Sequence, residues 1–327
     1  MNKKIAWLEL HDPEVVRLED SILPESFEVV RPVSATDSEE HKRLVEDADY
    51  IIAGSIRITR EYMQAARKLK MIQKSGIGVD KIDCVAAKEM GIPVCITAGA
   101  NAVPVAELTM GLMFAVNRRI SYVDASMRRG EWVRPRMRAQ CRMIHGKTVG
   151  LLGIGNIARE VAKMLQGFEG TRIIYYDKIK LSDEEERRLK VTGVSFEELL
   201  RQSDILSIHI PLLPSTRHMI GKEQLAMMKS SSILINTARG GIVDESALIE
   251  ALKNGTLRGA GLDSFEQEPI NQDNELLTLG NVVLSCHCGG GVVDNVLHVT
   301  EHVYGNIVKH ASGQAQDPRD VIVPSRE

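Results

Sequence analysis

Cysteine is scarce in this 327-residue chain, and the five residues (Cys84, Cys95, Cys141, Cys286 and Cys288) are odd in number. Their positions make no disulfide framework, which points to a reducing compartment. A basic excess is also missing. Lys plus Arg is 41 against 44 for Asp plus Glu, a formal charge of −3, so a polyanion such as nucleic acid is not the expected partner. Long apolar runs are absent too. The first, Ile5 to Leu8, is broken by Glu9 and is shorter than a signal peptide requires. Nowhere do about 18 apolar residues follow one another to span a membrane. No low-complexity tract or short repeat stands out. The expectation is a soluble, cytoplasmic protein without membrane or nucleic-acid partners.

What is present suits packed cores: 43% of the residues are hydrophobic and 26% charged. The length is twice a usual domain of roughly 150 residues, so two domains are expected. Short β-like runs alternate with amphipathic helix-like runs, the pattern of parallel sheets with crossover helices. In the first half Ile5–Leu10, Phe27–Val30, Tyr50–Ala53, Met71–Lys74 and Ile92–Ile96 read as strands, with helical spacing between them, as in Glu61 to Leu69. A long helix is expected from Ala102 to Asn117. The second series reads Thr148–Leu152, Arg172–Tyr176, Ile205–His209, Ile233–Asn236, Gly259–Leu262 and Val282–Ser285, six strands suited to a doubly wound nucleotide-binding sheet. A last helix, about Asp294 to His310, is expected to return to the first domain. Between the series, Met127 to His145 is basic and irregular, with Arg134, Arg136, Arg138 and Arg142 around Pro135. It reads as a boundary loop, either a solvated connector or a segment reaching a site or a partner subunit.

Gly153-Ile-Gly155-Asn156-Ile157-Ala158 follows the first strand of the second series. Gly153 permits the tight turn, Gly155 lets a pyrophosphate approach the backbone, and Ala158 lets the helix sit close to the strand. The helix N-terminus then offers free N–H groups and a positive dipole end to the phosphates. Glycine-rich turns alone are common. Here the strand–turn–helix–strand context continues to Asp177, placed to accept hydrogen bonds from an adenosine ribose. That carboxylate repels a 2′-phosphate and favours NAD over NADP, a preference weakened by Lys178.

Three later strands end in chemistry. Asn236-Thr237-Ala238-Arg239-Gly240-Gly241 delivers a guanidinium able to grip a carboxylate with two parallel bonds. Gly261-Leu-Asp263 leads to Glu268, and Ser285-Cys-His287-Cys-Gly289 follows the last strand. One such residue after a strand is ordinarily a surface group. A cation, an acid and an imidazole on one edge are not easily dismissed that way.

From about Ala53 to Val308 the chain resembles the D-isomer-specific 2-hydroxyacid dehydrogenases, most strongly in Asn236 to Glu245, Gly261 to Pro269 and the His287 segment. The resemblance implies two doubly wound parallel-sheet α/β domains with the active site in the cleft between them. These are a flavodoxin-like substrate domain (1–99 and 291–327) and a Rossmann NAD-binding domain (100–290). It further implies NAD as cofactor, a small 2-keto or 2-hydroxy acid as substrate, and a homodimer formed through the long helix. Arg239, Glu268 and His287 become the catalytic set. NAD-binding positions are Gly153, Gly155, Asn156, Ile157, Asp177, His209, Pro211, Thr216, Thr237, Ala238, Arg239, Asp263, His287 and Gly289. Ser75-Gly76-Ile77-Gly78 resembles the substrate-carboxylate loop, working with Arg239. The implied chemistry is hydride transfer between nicotinamide C4 and substrate C2, with His287 as acid and base and Glu268 stabilising its charged form.

The chain also departs from the family. Pro104 and Val105 stand where polar residues are frequent, Cys286 replaces a common proline, and Lys74 stands where phosphoglycerate members often have Arg. Rival motifs carry less. Gly146-Lys147-Thr148 lacks the glycine and the preceding strand of a phosphate loop. Cys286-His287-Cys288 on an extended strand would point to opposite faces. His298-Val-Thr-Glu301-His302 fits an inverted zinc pattern without room for a third ligand. No metal is expected. The alternative enzyme is formate dehydrogenase-like, disfavoured because that group carries Gln at the place of Glu268. The alternative outside catalysis is an NAD(H)-sensing corepressor or scaffold, since fold alone does not fix function.

Overall fold

Alternating apolar runs and helices build two separate sheets. The computed structural model describes residues 2–35 and 38–325, which fall into two units, Met1–Asn101 with Gly290–Glu327, and Ala102–Gly289.

In the first unit β1 (Lys3–Leu8), β2 (Phe27–Val30), β3 (Tyr50–Ala53), β4 (Met71–Lys74) and β5 (Val94–Cys95) lie parallel in the order β2-β1-β3-β4-β5. That is the flavodoxin-like winding. Every residue of β3 is buried, as a central parallel strand covered on both faces must be. Val45, Met63 and Ala86, from helices on one face, pack with Ile51 and Ile72. Val303, Tyr304 and Ile307 of the Val296–Ala311 helix join Trp7, Tyr50 and Ile52. The last helix therefore belongs to the first unit, as the sequence led us to expect. An antiparallel strand, Val321–Val323, closes the β5 edge. Its three residues are too few to show a period.

In the second unit β6 (Thr148–Leu152), β7 (Arg172–Tyr176), β8 (Val191–Gly193), β9 (Ile205–Ile208), β10 (Ile233–Asn236), β11 (Gly259–Leu262) and β12 (Val282–Leu284) are all parallel. Their order is β8-β7-β6-β9-β10-β11-β12. The strand sequence reverses between β6 and β9, the point at which such sheets bind dinucleotides. Seven strands stand where six were expected. Val191–Gly193 escaped notice because Thr192 and Gly193 break the apolar run.

The Ala102–Arg118 helix buries Ala106, Met110 and Met113 in the core it shares with the Asn156–Leu165 helix. Pro104 and Val105 are buried with them, so their apolar character serves packing. The basic segment Met127 to His145, expected to be a loop, contains the helix Arg134–Gln140 and begins in the last two residues of the helix Ile120–Arg128. Pro135 does not break the Arg134–Gln140 helix; it occupies the first turn, where a missing N–H costs nothing. Among the described residues no helix is long and apolar enough to cross a membrane.

Candidate active site

The turn after β6 is built as the glycines require. Gly153 has φ 94°, and a Cβ there would lie 2.8 Å from the His209 carbonyl oxygen. Gly155 differs: a Cβ there would meet nothing within 4 Å. It caps the Asn156–Leu165 helix, so the open space lies where that helix presents the N–H groups of its first turn. Ala158 is fully buried, and Ile157 packs against the same core. The cradle fits a pyrophosphate.

Asp177, just past β7, holds this turn. Its Oδ2 accepts from the Ile154 N–H at 2.9 Å and its Oδ1 from the Ile179 N–H at 3.1 Å. Past β9, His209 donates its backbone N–H to the Leu152 carbonyl at 2.7 Å, and its Nε2 lies 2.8 Å from the Ser207 hydroxyl. Burial pushes its imidazole down to about 3, so the ring is neutral. Thr216 ties the loop by donating to the Pro211 carbonyl at 2.7 Å and accepting from the Leu213 N–H at 2.8 Å.

Past β10 the Asn236 side chain accepts from the Ala238 N–H at 3.0 Å and donates to the Arg239 carbonyl at 2.9 Å. This holds Arg239 extended at φ −145°. Gly240 is obligatory, because a Cβ there would lie 1.9 Å from the Phe265 carbonyl carbon. The Arg239 turn is thus pressed against the segment that carries Glu268. Thr237 pairs with Thr109 of the long helix, hydroxyl to hydroxyl at 2.8 Å. Sequence reasoning missed Thr109, since an isolated threonine in an apolar helix carries no local signal.

Asp263 and His287 complete the edge. Asp263, 2% exposed, accepts from the Cys288 and Gly289 N–H groups, both at 3.0 Å. It anchors the loop holding the histidine. His287 sits at a bend with φ 56°, so the segment is not the extended strand end assumed from the sequence. Its Nδ1 lies 2.9 and 2.8 Å from the two carboxylate oxygens of Glu268. Glu268 also accepts from the Phe265 N–H at 3.2 Å. Thus Arg239, Glu268 and His287 gather at the C-terminal edge of β10 to β12. A cavity of about 240 Å³, bordered by Arg119, Arg142 and Arg258, adjoins the opposite, N-terminal ends of β11 and β12. It is separate from this chemistry.

In the first unit, the turn after β4 is held from outside. Ser75 donates to the Ala53 carbonyl at 3.0 Å, and Gly76 (φ 125°) donates to the Thr97 hydroxyl at 2.9 Å. Of the four N–H groups expected to bind a carboxylate, those of Ile77 and Gly78 are left without a partner among the described residues. Asp320, also unforeseen, supports this turn by accepting from the Ala98 N–H at 2.9 Å and facing His302 Nε2 at 2.6 Å. That contact gives His302, half of the zinc-like pattern, a structural partner.

Comparison with known proteins gives the family of the chain. Residues 110–289 match the family model described as D-isomer specific 2-hydroxyacid dehydrogenase, NAD binding domain. A D-3-phosphoglycerate dehydrogenase of Methanocaldococcus jannaschii is 43% identical over 273 residues, covering 83% of this chain and 51% of that relative. A hydroxypyruvate reductase of Thermotoga maritima is 41% identical over 261 residues, covering 79% of this chain and 83% of the relative. Among solved structures, an NAD-dependent formate dehydrogenase from Staphylococcus aureus in complex with NAD is similar, with a TM-score of 0.88. It has 28% identity and covers 99% of this chain and 100% of the other.

Proposed function

The chain belongs to the D-isomer specific 2-hydroxyacid dehydrogenases and is an NAD-dependent oxidoreductase, and on that premise we propose that it reduces a small, unphosphorylated 2-keto acid such as hydroxypyruvate or glyoxylate. The observation that carries the reading is the Glu268 carboxylate set on Nδ1 of His287, on the strand edge that also ends in Arg239.

NAD, when bound, supplies the hydride donor or acceptor at nicotinamide C4. The residues to hold it are Gly153, Gly155, Asn156 and Ile157 at the pyrophosphate and Asp177 at the ribose. The His209–Pro211–Thr216 loop would hold the adenosine, and Thr237, Ala238, Asp263 and Gly289 would hold the nicotinamide. His287 uses Nε2 to give a proton to the developing alkoxide in reduction and to take it back in oxidation. Glu268 fixes the ring and holds Nδ1, leaving Nε2 to the substrate. Arg239 grips the substrate with its planar fork; in the first unit, the Ile77 and Gly78 N–H groups are donors suited to a carboxylate.

Lys74 supports an unphosphorylated substrate. Its ammonium donates to the Gly54 carbonyl at 2.7 Å and the Ser75 carbonyl at 3.3 Å, and it lies in the field of Glu9. A cation so engaged is poorly placed to receive a phosphate. A homodimer is part of the proposal, supported by exposed Ile120, Met127, Trp132 and Met143 in the segment after the long helix. The test follows NADH absorbance against glyoxylate, hydroxypyruvate, pyruvate, 2-oxoglutarate and phosphohydroxypyruvate, with His287→Ala as control. Turnover of an unphosphorylated acid, lost in the variant, is expected. NADH binding without turnover would favour a sensing role, and preference for the phosphorylated acid would overturn the substrate class.

A further inference from the structure

Cys286 and Cys288 flank His287, and both are exposed and free. On a straight strand, residues two apart are separated by about 6.6 Å, near the upper end of the roughly 4.4–6.8 Å spanned by Cα pairs in disulfides. The chain is not straight here, because it bends at His287 with φ 56°. Cys288 holds the Cys286 thiol above its ordinary range. Cys288 Sγ also lies 3.1 Å from the Ser285 hydroxyl, a polar neighbour able to serve a thiol or thiolate. Neither cysteine has a part in the reaction described above. The other three lie far away in sequence, with Cys95 buried and Cys84 and Cys141 half-buried.

We propose that Cys286 and Cys288 form a reversible disulfide across His287, a modification site at which hydrogen peroxide arrests the enzyme. The thiolate of one cysteine attacks the peroxide, the O–O bond breaks, and a sulfenic acid and water result. The second thiol attacks that sulfur, an S–S bond forms, and a second water leaves. Two thiols lose two electrons and two protons in all, and the peroxide takes both. A dithiol reverses the step by exchange. The far side of the loop is pinned, since Asp263 holds the Cys288 and Gly289 N–H groups. Closing the ring therefore moves Cys286 and the backbone of His287. The contacts between Nδ1 and Glu268 are what that movement breaks.

The effect on turnover rests on the proposed reductase reading; formation of the bond does not. The full chain is treated with hydrogen peroxide, remaining thiols are alkylated, and peptides are weighed while NADH-dependent turnover is followed. The expected result is loss of two hydrogens from the peptide holding both cysteines and a fall in turnover of roughly tenfold or more, restored by dithiothreitol. Cys286→Ser and Cys288→Ser should each keep their turnover after reduction with dithiothreitol and fail to form the bond. Alkylation of both thiols after peroxide, oxidation to sulfinic acid without a bond, or a disulfide with unchanged turnover would each overturn the proposal. If no 2-keto acid is turned over, the reductase reading fails by itself and the mass of the peptide still decides the thiol chemistry.

Discussion

His287 faces both carboxylate oxygens of Glu268 through one ring nitrogen, at 2.9 and 2.8 Å. A donor on Nδ1 fixes the tautomer and leaves Nε2 for a substrate oxygen. Glu268→Gln keeps the size but replaces one of the two carboxylate oxygens facing Nδ1 with an amide nitrogen. The expected outcome is a kcat lower by roughly 10- to 100-fold with the KM for NADH nearly unchanged. His287→Ala should cost roughly 10²- to 10⁴-fold, the usual worth of a positioned acid or base. Steady-state kinetics at saturating substrate measure both. A variant that weakened NADH binding as much as it slowed turnover would assign the pair to cofactor binding instead.

Proton balance sets the pH response of the reaction. Reduction consumes a proton through His287 and oxidation releases one, so the reductive rate should fall with rising pH while the oxidative rate climbs over the same interval. Initial rates in both directions between about pH 5 and pH 9.5 would show two limbs of opposite slope. Limbs of the same slope, or a profile unchanged in His287→Gln, would count against the shuttle.

Gly153 and Gly155 stand two residues apart and should respond oppositely to a side chain. At Gly155 the added atoms enter open space, so Gly155→Val should fold normally and bind NADH at least about tenfold more weakly, some 1.4 kcal/mol. At Gly153, φ 94° and the His209 carbonyl 2.8 Å away make Gly153→Val costly to the fold itself. The left-handed backbone alone is worth about 1–2 kcal/mol. Thermal unfolding and NADH fluorescence titration separate the two effects.

These residues also mark what could be read from the sequence. Gly153, Asp177, Arg239 and His287 were legible because each follows an apolar strand, and strand ends gather on one edge whatever the details of packing. Val191–Gly193, Thr109 and Asp320 were not. A three-residue strand holds less than two periods, and Thr109 and Asp320 act through partners 128 and 222 residues away, Thr237 and Ala98. The bend at His287 was misread for the same reason: the N–H groups that hold it bond to Asp263, 25 and 26 residues earlier.

Asp177 spends its carboxylate on the Ile154 and Ile179 N–H groups. Asp177→Ala removes a negative charge and leaves two amide donors beside Lys178, a combination that welcomes a 2′-phosphate. The ratio of kcat/KM for NADPH to that for NADH should rise by about tenfold or more, equal to 1.4 kcal/mol. An unchanged ratio, with both cofactors weakened alike, would mean that the acid only braces the turn.

His11 couples pH to the stability of the first unit. Its Nδ1 lies 2.7 Å from Glu19, an ion pair more than an aligned hydrogen bond, and its Nε2 lies 3.2 Å from Glu9. Arg31 pairs with the other Glu19 oxygen at 3.1 Å, and Trp7 meets the ring edge-on at 5.6 Å. Burial opposes the charge, yet the two carboxylates prevail and raise the imidazole from 6.5 to about 9. The native state thus keeps a proton that the unfolded chain releases. Stability is full below about 6.5 and drains as pH climbs through 9, with an upper limit on the order of 3 kcal/mol at 1.36 per unit. Urea unfolding at about pH 6.5 and pH 9.5, followed by Trp7 fluorescence in a Trp132→Phe background, should show the loss, and His11→Gln should abolish it. Parallel curves for the two proteins would place the pH dependence elsewhere, because no charge at position 11 would then be releasing the proton.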